Sequence, residues 1–215
     1  MNLYLVRHGE TAWNRDGRAQ GRADIPLNDA GIAQSRALAR HFTSMTPVTV
    51  LSSSSRRAMD TAEAIAAPHG LTVRAEDDLR ELDFGDLDGT PLREMRDLFP
   101  DFFEHWTRDP QTAQFPNGGE TLEGLQARTW DIVESIAQSY QPHEDVVLVS
   151  HAFAIYSILC RALGMPLANY GRLRITPGSF SLLVSRAAGV IGPANRFQWA
   201  LTSLNTAPTQ TDVVD

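Results

Sequence analysis

The sequence predicts an α/β fold: a three-layer α/β/α sandwich around a mostly parallel central sheet, with a helical insertion near 90–119. Two observations lead there. Apolar, β-branched segments alternate with segments whose apolar residues recur at helical spacing, the pattern of parallel sheets covered on both faces. The run DVVLVS (145–150) is apolar at consecutive positions, as befits a strand buried on both sides, and is predicted to be central. The 215 residues show no repeat and no linker, so one domain is expected over 1–205, followed by a polar, disordered tail over 206–215.

MNLYLV (1–6) reads as the first buried strand. It runs into RHGET (7–11), where Gly9 permits a turn and Thr11 can cap the next segment. The polar stretch 13–29 reads as a loop, and DAGIAQSRALARHF (29–42) as a helix with Asn28 or Asp29 at its start. VTVLSS (48–53) is a second strand, and RRAMDTAEAIAAPHG (56–70) a helix ending at Pro68 and Gly70. LTVRA (71–75) is a short third strand, and the acidic DLRELDFGDLDG (78–89) is irregular. The segment 90–110 reads as one or two short helices with exposed aromatic residues, followed by a loop over 111–119. An interruption of that length is either packing decoration or a lid over a site. A long amphipathic helix (120–140), the central strand and a further helix (151–164) come next. SFSLLVSR (179–186) and NRFQWALTSLN (195–205) are late strands joined by the turn-rich AAGVIGPA.

The formal charge is −7, which disfavours a nucleic-acid or anionic-membrane partner. No lysine occurs, so every basic side chain among the 19 is arginine, whose planar fork suits phosphate or carboxylate. A bias in base composition explains that equally. Cys160 is the only cysteine, which excludes an internal disulfide and a thiolate metal cluster; its apolar helical setting reads as a buried thiol. With no signal-like or membrane-length apolar stretch, a soluble cytoplasmic protein is expected.

His8 follows YLVR and His151 follows VLVS, each at the end of a predicted strand. Neighbouring strand ends in a parallel sheet would bring them together with Arg7 into a cationic pocket. Histidine can serve as a nucleophile, arginines can hold the oxygens of a phosphoryl group, and a carboxylic acid can protonate the leaving oxygen. On the residues alone, a solvated basic pair at 7–8 and a backbone-satisfied helix-cap histidine at 151 remain open.

The chain resembles the histidine phosphatase superfamily, phosphoglycerate mutase-like branch. RHGET (7–11) is similar to its signature, and 13–31, SSSSRRAMDTA (52–62), LRELDFGDLDG (79–89), GGETLEGLQAR (118–128) and VVLVSHAF (146–153) resemble further blocks in the same order. The resemblance implies a phosphatase with a phosphohistidine intermediate on His8. In it, Arg7, Arg57 and His151 hold the non-bridging oxygens, and Glu81 serves as acid and then base. Asn14 and the backbone at Gly21 and Ala152 contact substrate. It implies no metal and no cofactor, and a small phosphate ester as partner; a homodimer stays open. Arg56 is a poorer match than its neighbour Arg57. Ala152 departs from the usual glycine, and Phe153 adds bulk that favours a less polar leaving group.

Glycolytic mutases of this family carry a basic insertion after the acid block. Here 90–119 holds only Arg93, Arg96 and Arg108, alongside Phe99, Phe102, Phe103 and Trp106. A second phosphate finds little compensation there. Hydrolysis is therefore expected over mutase-type transfer, with α-ribazole 5′-phosphate among the fitting substrates. A weakly catalytic phospholigand- or protein-binding member is the remaining alternative.

Overall fold

Successive residues of the inner strands face opposite layers, and the sequence is apolar at both. A computed structural model describes residues 1–186 and 198–208. Strand β1 (Asn2–Arg7) sends Leu3 and Leu5 into one core and Tyr4 and Val6 into the other. A single-turn helix α1 (Ala12–Arg15) follows, then α2 (Asp29–Phe42), β2 (Pro47–Ser53), α3 (Arg56–Ala66) and β3 (Val73–Glu76). Helices α4 (Met95–Leu98) and α5 (Pro100–Arg108) make the insertion. Then come α6 (Leu122–Ser139), β4 (Asp145–Ser150), α7 (Ala152–Ala162), β5 (Phe180–Arg186) and β6 (Gln198–Thr206).

The sheet order is β3-β2-β4-β1-β5-β6. Its first four strands are parallel; β5 runs antiparallel to β1, and β6 antiparallel to β5. As expected, β4 is central, and Val146, Val147, Leu148 and Val149 are all fully buried. Each such side chain contributes roughly 1.5–3 kcal/mol relative to exposure. Val147 and Val149 pack with α2 and α3 through Leu38, Phe42, Ala62 and Ile65. Val146 and Leu148 pack with α6 and α7 through Val133, Ile136, Ile155 and Ile158. The register pairs Arg7 of β1 with Ser150 of β4, so the next residue on each strand, His8 and His151, emerge side by side.

Local chemistry explains the boundaries. Thr11 and Asn14 form a reciprocal capping box on α1, Asn28 accepts from Gly31 N–H to cap α2, and Thr121 caps α6. The helix expected over 56–70 stops at Ala66; a 3-10 turn through Pro68 carries it to Gly70, whose φ of 64° ends it. Gly9, expected to permit a turn, has no positive φ; a Cβ there would sit 2.4 Å from the Gly31 carbonyl oxygen, so its lack of a side chain lets the segment after β1 touch α2.

The insertion does form two short helices, but its aromatic residues are half-buried rather than exposed. Phe102 packs tilted and Trp106 edge-on against Phe115, and Trp106 reaches Phe153 and Tyr170. Thr206, assigned to the tail by the sequence, closes β6, and 209–215 lie outside the described residues, as does the turn 187–194. No described helix is long and apolar enough to cross a membrane.

Candidate active site

His8 stands just beyond the end of β1, 3% exposed. Its Nδ1 is 2.7 Å from the carbonyl oxygen of Gly9. A carbonyl only accepts, so the neutral ring carries its proton on Nδ1 and leaves the Nε2 lone pair free. Burial, then the charges of Arg57 and Arg7, push the His8 pKa well below the ordinary 6.5. The ring is therefore neutral, in its nucleophilic form, at neutral pH. Gly9 N–H donates to Thr61 Oγ1, and the Thr61 hydroxyl donates to the Arg57 carbonyl, tying the strand end to α3.

His151 precedes α7 and is fully buried, its ring centroid 5.0 Å from that of His8. It occupies the helix-cap position without a cap bond from its side chain. Its Nε2 pairs with Ser53 Oγ at 2.8 Å, and its Nδ1 is buried without a partner. Burial, with Arg57 next, lowers its pKa well below 6.5 too.

With both rings neutral, the positive charge beside them comes from two guanidiniums. Arg57, from the first turn of α3, has no exposed surface. Its Nη1 and Nη2 donate to the carbonyls of Ala23 and Gly21, each at 2.8 Å, and its Nε is unpartnered. Desolvation brings its pKa down to about 10, so it remains charged. Arg7 donates from Nη1 to the Ile175 carbonyl at 2.7 Å, and its Nε is likewise unpartnered. Among the described residues both arginines are held by carbonyl dipoles rather than carboxylates, which leaves their charge and remaining N–H groups available to an anion.

Glu81 is 5% exposed and sits against the first turn of α7. Its Oε1 accepts from Leu82 N–H at 2.9 Å and Ala154 N–H at 3.3 Å; its Oε2 accepts from Phe153 N–H at 3.2 Å. Burial raises its pKa above 4.5, against the opposing pull of these bonds and the two arginines. Three of the four lone-pair positions are occupied, so a proton on this carboxyl resides on Oε2.

A cavity of about 350 Å³ is lined by Arg7, Asn14, Gln20, Glu81, Ala152 and Phe153 among others; His8, Arg57 and His151 are buried and are not among its lining residues. Asn14 uses its Oδ1 to accept from Thr11 N–H, which leaves its amide nitrogen as donor. As the first residue of α7, Ala152 has an N–H with no intrahelical acceptor. Gly21 is not on that wall. Its N–H donates to Asp88 and its carbonyl receives Arg57, so it stands behind the guanidinium. Arg56 points outward, 3.8 Å from Asp60 on the surface.

Several contributors were not visible in the sequence. Gln20 lines the cavity with a buried, unpartnered Nε2, its Oε1 held by Thr11. Ser53 fixes the His151 ring. Arg128 makes a bidentate pair with Glu120 at 2.7 and 2.8 Å and donates to the carbonyls of Asp78, Arg80 and Glu81, clamping the loop that presents Glu81. Its one sequence signal is its place in GGETLEGLQAR. Among the described residues, no group of three or more His, Cys, Asp or Glu side chains is placed to hold a metal ion.

The chain is similar to proteins of known type. It is 31% identical over 183 residues to phosphoserine phosphatase 1 of Hydrogenobacter thermophilus, spanning 85% of this chain and 86% of that one. It is 35% identical over 162 residues to phosphoglycerate mutase-like protein 4 of Arabidopsis thaliana, covering 74% and 70% of the two chains. Among solved structures, mycobacterial glucosyl-3-phosphoglycerate phosphatase, complexed with VO3, superposes with a TM-score of 0.82 at 30% identity, covering 95% and 98%. The alpha-ribazole phosphatase from Shigella flexneri gives 0.80 at 29% identity, covering 96% and 97%. Residues 3–191 match the family model of the histidine phosphatase superfamily, branch 1, and the chain belongs to that superfamily.

Proposed function

We propose that this phosphomonoesterase passes the phosphoryl group of a small phosphorylated metabolite through Nε2 of His8, and that the alcohol it releases bears an apolar or ring-containing group. The observation that carries the first part is the Nδ1 bond to Gly9, which leaves Nε2 as the free nucleophile of a neutral ring. In the first step the Nε2–P bond forms and the P–O bond to the leaving group breaks. Glu81 Oε2 gives its proton to the departing oxygen. Arg7 and Arg57 bear on the non-bridging oxygens through their unpartnered Nε–H groups; His151 does so from Nδ1–H, in the tautomer whose Nε2 accepts from the Ser53 hydroxyl, and Asn14 Nδ2, Gln20 Nε2 and the Ala152 N–H add neutral donors. In the second step water attacks phosphorus, its proton passes to Glu81, and the P–Nε2 bond breaks to release phosphate and neutral His8.

The leaving-group reading rests on a second, apolar cavity of about 170 Å³. Ala19, Phe84, Leu92 and Phe153 line both cavities, so the two adjoin; Phe102 and Trp106 of α5 form the far wall with Tyr170. A flat ring such as the benzimidazole of α-ribazole 5′-phosphate suits that wall. Arg18 and Glu10 on the catalytic cavity favour a second reading, a zwitterionic or carboxylate-bearing alcohol such as serine or glycerate. The expected setting is the cytoplasm, without nucleic-acid or membrane partners, in keeping with the charge of −7.

The test has two arms. Wild type quenched during turnover should carry acid-labile phosphate, and a folded His8→Ala variant should carry none and be inactive. Normal turnover by that variant refutes the mechanism. A screen of α-ribazole phosphate, phosphoserine, phosphoglycerates and simple alkyl phosphates then ranks the leaving groups. A preference for the charged alcohols overturns the apolar reading.

A further inference from the structure

We propose that Asp88 is a positioning residue for Arg57, acting through the peptide groups of residues 21–23. The inference rests on the reading of Arg57 as a phosphate-binding cation. Asp88 Oδ1 accepts from Gly21 N–H at 2.7 Å, and Oδ2 accepts from Ala23 N–H at 2.8 Å. The carbonyls of the same two residues receive Arg57 Nη2 and Nη1. One carboxylate therefore grips this short stretch by its amides, while one guanidinium is gripped by its carbonyls. Among the described residues these two carbonyls are the only hydrogen-bond partners of the Arg57 guanidinium, so the plane of the guanidinium is set by the orientation of that backbone.

The chemistry of the site asks for a carboxylate. Two N–H groups need two oxygens that only accept, and an amide side chain would set one donor against another. The stretch also has no room to settle elsewhere. A Cβ on Gly21 would lie 2.6 Å from the Leu82 carbonyl oxygen, so the backbone here already abuts the segment just after Glu81. Neither Asp88 nor Arg57 lines the 350 Å³ cavity; the peptide groups of 21–23 stand between the two, and the Asp88 carboxylate also favours the Arg57 cation across them. Losing its grip frees those carbonyls to tilt, and the guanidinium tilts with them. A displacement on the order of 1 Å at a positioning group costs about 10²-fold in rate, so a partial loss of aim is expected to cost about 10-fold.

The test is a double-mutant cycle on kcat/KM for p-nitrophenyl phosphate, with thermal melting of each protein. Asp88→Asn should lower kcat/KM about 10-fold in the wild-type background and less than about 2-fold in the Arg57→Ala background, where there is no guanidinium left to aim. A purely structural Asp88 would cost the same factor in both backgrounds, and that result, or an unimpaired D88N, overturns the proposal. If R57A itself keeps wild-type kcat/KM, the assignment of Arg57 fails instead, so the two failures are distinguishable. Should D88N not fold, Asp88→Ser, which keeps one acceptor, takes its place; should R57A not fold, Arg57→Met does. If neither Asp88 variant folds, the carboxylate serves stability and the proposal is overturned.

Discussion

Replacing Glu81 with Gln separates the two duties assigned to that carboxyl. Gln retains one acceptor oxygen, which can keep the Leu82 and Ala154 N–H groups, but its NH₂ then faces the Phe153 N–H. One buried donor loses its partner, at a cost of about 1–3 kcal/mol of stability, and the transferable proton on Oε2 is gone. A general acid is worth roughly 10²–10⁴ in rate when the leaving group is a poor one. An alkoxide needs that proton, whereas p-nitrophenolate departs as a stable anion. The first-step rate, read as phosphoenzyme formation after rapid mixing, should therefore fall about 10²–10⁴-fold for an alkyl phosphate and little for p-nitrophenyl phosphate. Single-turnover measurement matters because both substrates share the later hydrolysis of phosphohistidine. Equal first-step losses for the two substrates would refute Glu81 as the leaving-group acid, and Asp83 would be the next carboxyl to replace.

Arg57→Ala should cost about 10²–10³ in kcat/KM, the scale of one preorganised oxyanion contact, while the outward Arg56→Ala should cost little; steady-state kinetics showing the reverse order would refute the assignment. Exhaustive treatment with EDTA should leave kcat/KM unchanged, because Arg7 and Arg57 supply the positive charge; activity that returns only with added Mg²⁺ or Zn²⁺ would contradict this. Stability should fall as pH drops below 6.5. His8 and His151 have folded pKa values below the unfolded one, so the unfolded chain takes up protons the fold refuses, at up to about 1.4 kcal/mol per pH unit for each ring. Glu81, with its pKa raised, works in the opposite sense above 4.5 and offsets part of this loss. A folded His8→Asn variant should lose stability less steeply between pH 6.5 and 5 in thermal melts, and an unchanged slope would refute the depressed His8 pKa.

The elements that build the sheet were legible because their chemistry is local. DVVLVS can only be buried, Thr11 and Asn28 cap the turns they begin, and the two strand-end histidines become neighbours once the strands are parallel. The contributors that escaped notice depend on partners far along the chain. Gln20 is one glutamine in a polar loop until Thr11 orients it, and Asp88 is one acid among many until Gly21 and Ala23 turn their N–H groups toward it. The aromatic segment shows the same limit. Phe102 and Trp106 look exposed on a short helix because Phe115, Phe153 and Tyr170, which cover them, arrive from three other segments. Gly9 reads as a turn residue because glycine is ambiguous in sequence; only the packing of Gly31 against it reveals a need for space rather than for an unusual dihedral.

The way the two arginines are tethered has a consequence beyond the chemical steps. Arg57 rests on the carbonyls of Gly21 and Ala23, and Arg7 on that of Ile175, so among the described residues neither is paired with a carboxylate. Such a pocket meets the same tetrahedral oxygens in a bound ester, in phosphohistidine and in the inorganic phosphate finally released. On the proposed reading, inorganic phosphate is therefore expected to compete with the ester for these two guanidiniums, and added phosphate should raise the apparent KM in steady-state assays.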